Sequence, residues 1–427
     1  LTVAQRNDLL ASMSDEVAAL VLRDNYEQNV AIAASQAQAS SLLHVHRRYV
    51  SALVADGVLD RTIEHLPDEA GLDERRAAGI GLTGPEFAVL LAYTKISLTN
   101  ELLETTLPDD PYLREQLMEY FPRPLREQYA ARIDEHPLRR EIIVTGLVNH
   151  VVNFAGTTFA FRVTEETAAN APEIMAAFLV VFEVFGIPAL RADVEALDNK
   201  VDAAALISIV LEVRKLTERA TRWLLHNRRP PFDIAATIEE FGPGVRAVLP
   251  VLPGLLTGDD REGFDARRDR LVGGGVPRSI AERSATAVPA FAVLDLVDIG
   301  ERTGVAVTDV AACYFYLGER LAISALRDRV TALPRDDRWH TMARNSLRDD
   351  VYASHAALCE QVLRCAGPAA TQEERFAVWA ERNHSANERA RLTLADIAEV
   401  DKPDVATLSI AVRTLRTLAT AGTRTPG

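Results

Sequence analysis

Apolar residues recur along this chain at the spacing of an α-helix. Val17, Leu20 and Val21 form one such set, and a longer set comprises Leu206, Ile209, Val210, Val213 and Leu216. Spacings of three and four residues place side chains on one face of a helix, whereas a half-buried strand alternates at every second residue. Alternating runs are few here. The pattern predicts an all-α fold, a multi-helix array in two packed subdomains without a Rossmann-type sheet.

Two helix starts carry the signature of a capping box. Thr83 and Glu86 have the required spacing, as do Thr371 and Glu374, so each hydroxyl and carboxylate should accept hydrogen bonds from free backbone N–H groups. The segment 273–277, Gly-Gly-Gly-Val-Pro, is expected to end one helix on a left-handed glycine and to begin the next on proline. These signals fix helix ends in both halves of the chain.

Prolines suggest how the chain divides. The pair Pro230–Pro231 and the segment 242–258, which contains three further prolines, interrupt the helical pattern. We therefore predict three segments: residues 1–60 as connecting helices, 61–228 as a helical subdomain with a buried central helix near 137–162, and 229–427 as a second helical subdomain.

The opening section, residues 4–56, is predicted to form two or three helices rich in Ala, Gln, Asn and Ser. Such helices suit packing against another part of a larger protein. An ordinary amphipathic helix pair on the chain's own core fits the same residues. Because the sequence begins at Leu1 rather than at Met, we expect a piece of a longer gene product.

The central helix near 137–162 is apolar nearly all round, which is typical of a buried helix. A narrow stripe of small and polar residues follows it, and Asn149 and Asn153 must find hydrogen-bond partners once buried. The candidate polar network consists of Asn149, Asn153, Thr157 and Arg162. Two interpretations stay open: a hydrogen-bonded helix crossing in the core, or a seat for another domain or a ligand.

Composition narrows the function classes. A net charge of −14, with basic residues interspersed among acidic ones, disfavours nucleic acid as a partner. The longest apolar stretch, Ile174–Ile187, is interrupted by a glutamate and is shorter than the roughly 20 residues of a membrane helix, so no membrane partner is predicted. Cys313, Cys359 and Cys365 form no C-x-x-C pair, as in a reducing compartment. The predicted location is the cytoplasm.

Residues 79–84, Gly-Ile-Gly-Leu-Thr-Gly, match the G-x-G-x-x-G spacing of dinucleotide-binding turns. That turn needs a preceding β-strand and a following helix whose N–H groups face the pyrophosphate. Here residues 73–78 are polar and helix-favouring, and the last glycine lies inside the capping box of Thr83. We therefore interpret the segment as a loop and helix start, without a cofactor.

Metal and nucleophile signatures are also missing from the sequence. His44 and His46 would point roughly 200° apart on a helix and could not share a metal, so a surface helix is their expected setting. The other histidines are scattered, and no G-x-S-x-G elbow occurs. No metal site and no catalytic residue are predicted.

Several separate motifs resemble, in the same order, the C-terminal helical region of the large-subunit NAD-specific glutamate dehydrogenases of bacteria. The resemblance is strongest over residues 1–225. It is carried by Ser14–Val17, Asn25–Asn29, Leu82–Tyr93, Tyr120–Leu125, His136–Ile143, Val148–Asn149 and Phe159–Arg162.

The resemblance implies an enzyme that oxidises L-glutamate to 2-oxoglutarate and ammonium with NAD, as a homo-oligomer. It also implies that the glutamate-binding and catalytic lysines lie upstream in glycine-rich stretches. The four lysines here, Lys95, Lys200, Lys215 and Lys402, lie in helix-like contexts without such flanks. The chain alone is therefore predicted to be inactive and to hold no cofactor.

We accordingly predict a non-catalytic region with a structural, assembly or regulatory role. Its partners would be its own catalytic domain, toward which residues 1–60 would pack, and sister subunits. The alternative is an independent helical scaffold that binds a protein unrelated to glutamate metabolism. A third reading, a self-contained NAD-binding enzyme, would use residues 79–84.

Overall fold

The structure is a computed structural model that describes residues 1–335, 337–365, 367 and 370–421. Within these residues the chain forms α-helices and two short 3-10 helices, Leu107–Asp109 and Pro111–Leu113, and no β-strand. The all-α prediction is confirmed.

The α-helices follow one another in short steps. The first twelve are α1 Val3–Gln36, α2 Leu43–Ala55, α3 Glu69–Ala77, α4 Gly84–Leu103, α5 Arg114–Glu119, α6 Arg123–Asp134, α7 Arg139–Ala155, α8 Phe159–Thr167, α9 Ala171–Val184, α10 Ile187–Glu195, α11 Ala203–Asn227 and α12 Ile234–Val248. The others are α13 Leu252–Leu255, α14 Gly258–Gly273, α15 Arg278–Ala285, α16 Ala287–Ala290, α17 Val293–Thr303, α18 Val307–Arg320, α19 Ile323–Thr331, α20 Arg338–Arg364, α21 Gln372–Arg382, α22 His384–Ala398 and α23 Val405–Ala421.

The described chain forms two compact units. Unit 1 comprises Leu1–Phe182 and Thr217–Thr237, and unit 2 comprises Glu183–Leu216 and the described residues from Ile238 onward. The chain thus changes unit within α9, α11 and α12. The segments 1–60, 61–228 and 229–427 stay a prediction about domain organisation.

Unit 1 has an apolar core with a large aromatic share. Phe87 and Leu90 of α4 are fully buried in a cluster with α2 and α3. A second group joins α7, α8 and α9: the ring centroids of Phe154 and Phe182 lie 5.0 Å apart, and those of Phe159 and Phe178 5.8 Å apart. Aromatic pairs at these separations stabilise a core beyond their burial alone.

Unit 2 is organised around the 27-residue helix α20. Helices α17, α18, α19 and α23 pack against it. Leu358, Cys359 and Val362 of α20 are fully buried, as are Val310 of α18 and Leu415 of α23. Burial on this scale supplies most of the helical stability, because apolar area removed from water contributes roughly 25 cal/mol per Å².

The predicted helix starts are confirmed. Capping boxes are present at Thr83 and at Thr371, where the following helices begin one residue later. The glycine-rich segment 273–277 also separates two helices, with Gly275 at φ +88° and Pro277 as the residue that caps α15. Local side-chain chemistry sets these ends, so the sequence was sufficient to find them.

Two expectations about helix continuity are wrong. The single helix near 137–162 is two helices, α7 and α8, which meet at 86°. Gly156 lies between them at φ +97°, a conformation that an α-helix cannot contain. Conversely, Pro243 does not end a helix but lies inside α12. Phe241, Val245 and Val248 of that helix are fully buried, and their packing offsets the hydrogen bond that proline removes.

A helix that crosses a bilayer needs roughly 20 predominantly apolar residues. Within the described residues no single helix has both the length and the apolar character for this. Two bent pairs of consecutive helices, α7 with α8 and α9 with α10, reach the threshold only when each pair is taken together.

Candidate functional site

The opening helix α1 is held at its C-terminal end and exposed over most of its length. Ala31 and Ala34 are buried in unit 1, while Met13 is the buried residue of its first 25 positions. Thr2 and Gln5 form a capping box at its start. The helix therefore has a defined start and is exposed to solvent along most of its first 25 residues.

Glu16 ties the exposed part of α1 to α6 of the same unit. The carboxylate of Glu16 accepts hydrogen bonds from the backbone N–H of Arg123 at 2.9 and 3.0 Å. Arg126 lies 3.5 Å from the same carboxylate. Because Arg123 is the first residue of α6, the acidic group lies at a helix N-terminus, where the helix dipole favours negative charge. The side of α1 that bears Glu16 is therefore the side that faces unit 1.

The predicted polar network is only partly assembled. Asn153 and Thr157 are buried, with 3% and 4% exposure, whereas Asn149 is half-buried. The carbonyl oxygen of Thr157 lies 3.4 Å from the hydroxyl of Thr94. Arg162 lies on α8, beyond the break at residue 156, so it does not continue the stripe of Asn149 and Asn153. The role of these four residues as a site stays a prediction.

Arg162 belongs instead to a charged network that the sequence did not reveal. Its guanidinium donates to Glu218 at 2.5 Å, and Arg222 donates to Glu218 at 2.8 Å. Arg222 also pairs with Glu166 at 2.7 Å. The spacing of Glu218 and Arg222 by four residues was a readable signal, but their pairing with α8 depends on tertiary structure. The network joins α8 to α11 within unit 1 and has the character of a helix crossing.

His46 is a second departure from expectation. It lies on α2 but is buried, with 2% exposure and its ring edge-on to Phe87 at 5.0 Å, so the expected surface setting is wrong for it. Burial, with a smaller effect of Arg162 and then of His44, lowers the pKa of His46 to about 3. The imidazole is therefore neutral at pH 7 and behaves as a core residue.

Residues 79–84 have the geometry of a connection between helices. They follow α3 rather than a strand, and Gly79 has φ +68°. A Cβ atom at Gly81 would lie 2.2 Å from the carbonyl carbon of Ala39, so this glycine is required by a close approach of two backbones. Arg75 donates to Glu86 at 2.6 and 2.8 Å beside the loop. The interpretation as a loop and a helix start is confirmed, whereas the expected absence of a cofactor stays a prediction.

Unit 2 contains a buried polar cluster on α14 and α19. The Asp260 carboxylate accepts from the Ser324 hydroxyl at 2.6 Å and from the Arg327 guanidinium at 2.5 Å. All three residues are at most 8% exposed. His355 lies nearby, with its ring stacked on Tyr314 at 3.5 Å, and burial lowers its pKa to about 3. A hydrogen-bonded ion pair beside a neutral imidazole is typical of a structural contact, here between α14 and α19.

Unit 2 also contains carboxylates and a cysteine whose residue types could bind a metal or act as a nucleophile. Carboxylate oxygens of Glu240, Asp298 and Glu301 lie within 4.8 Å of one another, and Asp298 also pairs with Arg302. A cluster of acidic side chains alone does not define a metal site, and the absence of a metal stays a prediction. Cys359 is buried, which raises the pKa of its thiol and makes it a poor nucleophile.

The four lysines differ in setting. Lys95 is half-buried in α4 and Lys215 pairs with Glu212 at 2.7 Å in α11, in agreement with the helical contexts expected. Lys200 and Lys402 lie outside helices, so that expectation is wrong for them. Both follow a helix end, where side-chain pattern alone is a weak guide to the last turn.

Two protein-family models match the chain, one on each side of residues 36–78. The model described as "Glutamate dehydrogenase, C-terminal" matches residues 79–417. The model described as "Bacterial NAD-glutamate dehydrogenase, catalytic domain" matches residues 1–35. The second match therefore stops one residue before α1 ends.

Individual relatives agree with these matches. The chain is 38% identical over 423 residues, 99% of its length, to the NAD-specific glutamate dehydrogenase of Mycobacterium tuberculosis. It is 35% identical over 419 residues, 98% of its length, to the protein of the same name from Pseudomonas aeruginosa. In each case it spans about a quarter, 26%, of the relative. With well over half of its residues matched, the chain belongs to the glutamate dehydrogenase C-terminal family.

Proposed function

We propose that this chain is the non-catalytic C-terminal region of an NAD-dependent glutamate dehydrogenase, which converts L-glutamate to 2-oxoglutarate and ammonium. The observation that carries the proposal is the order of the two family matches: the catalytic-domain match occupies residues 1–35 and the C-terminal match begins at residue 79. The role proposed for the region is structural, in assembly or in regulation.

Chemical requirements support a non-catalytic role. Dehydrogenation of an amino acid needs a held nicotinamide and a base for the ammonium proton. The described residues contain no strand that could deliver a dinucleotide turn, and the G-x-G-x-x-G segment is closed by Ala39. We therefore place NAD binding and turnover in the part of the enzyme that precedes residue 1. The proposal also includes a cytoplasmic location, sister subunits as partners, and no nucleic acid or membrane.

The proposal is tested with the enzyme from Mycobacterium tuberculosis as host. Three proteins are compared by NADH formation from L-glutamate: the wild type, a deletion of the region equivalent to residues 36–427, and a chimera that carries this chain in that place. We expect activity in the wild type and the chimera, and at least a tenfold loss in the deletion. Full activity of the deletion would contradict a supporting role.

The non-catalytic role is tested by measuring turnover and NAD binding of the 427-residue chain itself. The 427-residue chain is incubated with L-glutamate and NAD, and NAD is titrated into it by calorimetry. We expect neither NADH formation nor heat of binding. Turnover by this chain alone, or tight NAD binding, would replace the proposal with that of a self-contained enzyme.

A further inference from the structure

Helix α1 has one face without any charged residue. At 100° per residue, twelve positions between 3 and 28 fall within about 140° of arc. They are Val3, Ala4, Asn7, Leu10, Ala11, Ser14, Val17, Ala18, Val21, Leu22, Asn25 and Gln28. We call this set the uncharged face of α1. The charged residues of the same stretch, such as Arg6, Asp15 and Arg23, lie on the rest of the circumference.

The uncharged face is exposed almost throughout. Val3 is 67% exposed, Leu10 54%, Val17 44%, Val21 59% and Leu22 70%. Gln28 is the half-buried member, near the anchored end of the helix. Single exposed apolar residues are common on proteins, but eight apolar residues among the twelve of one uncharged helix face indicate an interaction site.

The spacing along this face suits a second helix. Val3, Leu10 and Val17 repeat every seven residues along one edge of this face, and Ala4, Ala11 and Ala18 repeat along its other edge, about 100° around the helix. A seven-residue repeat keeps side chains in register along a neighbouring helix, and a row of alanines permits a short distance between helix axes. Glu16, which contacts the start of α6, lies on a different side of α1, so unit 1 leaves the uncharged face open.

We propose that the uncharged face of α1 is the docking surface for the catalytic segment that precedes residue 1 in the full-length enzyme. This inference rests on the proposed function. The occupant is chosen because the catalytic-domain family match covers residues 1–35 and stops at the end of α1. In family terms α1 is the last element of the catalytic domain, although its C-terminal turns are buried in unit 1. The relatives, of which this chain spans 26%, contain a segment large enough to cover it.

The test uses the full-length enzyme and two single substitutions, Val17→Cys and Ala19→Cys. Position 17 lies on the uncharged face, whereas position 19 lies outside that face, about 160° around the helix from position 17, and is also exposed. Maleimide labelling of each site is followed by peptide mass spectrometry. We expect labelling at position 17 to be at least tenfold slower than at position 19. Equal rates would overturn the inference.

A photo-cross-linker attached at position 17 identifies the occupant. Cross-links to residues that precede residue 1 support the proposal. Cross-links to residues 1–427 of a differently isotope-labelled second copy would overturn it, because the face would then be an interface between copies. NADH formation is recorded in parallel. Active enzyme with equal labelling rejects only the docking surface, whereas a full-length protein without glutamate-dependent NADH formation rejects the proposed function.

Discussion

Gly81 illustrates how one residue can carry a constraint that its motif does not explain. Its α-carbon lies so close to the backbone of Ala39 that a Cβ atom would meet the carbonyl oxygen at 2.3 Å. Rotation of a side chain cannot relieve a clash with backbone atoms. We expect Gly81→Ala to lower the free energy of unfolding by about 1–3 kcal/mol, measured by urea denaturation.

A matched control is available within the same unit. A Cβ atom at Gly146, inside α7, has no neighbour within 4 Å outside the backbone of its own helix. Gly146→Ala should raise the free energy of unfolding by about 0.5–1 kcal/mol, because alanine loses less backbone entropy in a helix. If both substitutions changed stability equally, the close approach of residues 81 and 39 would be wrong.

For single residues, the sequence predicted the local structure but not the distant residues that each side chain or backbone contacts. The residues around the G-x-G-x-x-G segment were enough to predict a loop, because capping and helix preference are local properties. The requirement for Gly81 depends on Ala39, far earlier in the chain, and no local pattern contains it. His46 was misplaced for the same reason: its burial is decided by Phe87 of another helix.

At the scale of elements, the buried ion pair fixes α14 against α19. Arg327→Met would leave the Asp260 carboxylate buried without its cation, and we expect a loss of about 3–5 kcal/mol in the free energy of unfolding. The double variant Asp260→Asn with Arg327→Met should recover part of this loss, because no buried charge is left. Chemical denaturation of the three proteins measures both effects.

An exposed ion pair serves as the comparison. Arg278 and Glu282 pair at 2.9 Å within α15, with their side chains 66% and 40% exposed. Arg278→Ala should hardly change the denaturation midpoint, since water screens such pairs. An effect of Arg327→Met as small as that of Arg278→Ala would show that Asp260 does not depend on this arginine.

Helix ends and helix continuity were not equally predictable. The starts at Thr83 and Thr371 follow from side chains within four residues, so the sequence was sufficient. The break at Gly156 was missed because glycine is tolerated inside helices, and only its positive φ here distinguishes a break. Pro243 was misjudged in the opposite direction, because buried apolar packing outweighed the missing hydrogen bond.

For the whole molecule, two buried histidines predict how stability depends on pH. His46 lies in unit 1 and His355 in unit 2, and the pKa of each is about 3. In the unfolded chain both take up a proton near pH 6.5, so between these values the unfolded state binds more protons. The free energy of unfolding should therefore fall as the pH is lowered through this window, by about 1.4 kcal/mol per unit for each histidine.

This pH dependence is measured by urea denaturation at pH 7.5 and 5.5. His46→Leu keeps an apolar side chain against Phe87 and removes one titrating group. We expect the variant to lose less stability than the wild type between the two pH values. An unchanged difference would mean that His46 is protonated in the folded protein. Well above pH 6.5 both imidazoles are neutral in either state, so the slope attributed to them should vanish.

The two compact units are built from separate stretches of the chain, which local sequence signals do not indicate. Unit 1 includes residues 217–237, although the preceding stretch, Glu183–Leu216, belongs to unit 2. Prolines and glycines indicate where helices end, but they do not indicate which helices pack together. Arg162 is paired with Glu218 of α11, a contact that the spacing along α7 does not contain, and the candidate site stays a prediction.

Helix α1 has a mechanical consequence. It runs without interruption through Val3–Gln36, which corresponds to about 50 Å, and its last turns are clamped at Ala31 and Ala34. A continuous helix couples movement along its length, so a tilt of its first turns acts on the contacts at Met13 and Glu16 before it reaches Ala31 and Ala34. Two glycines inserted near residue 26 would interrupt the helix. The part of α1 before the insertion should then unfold separately from the rest of unit 1.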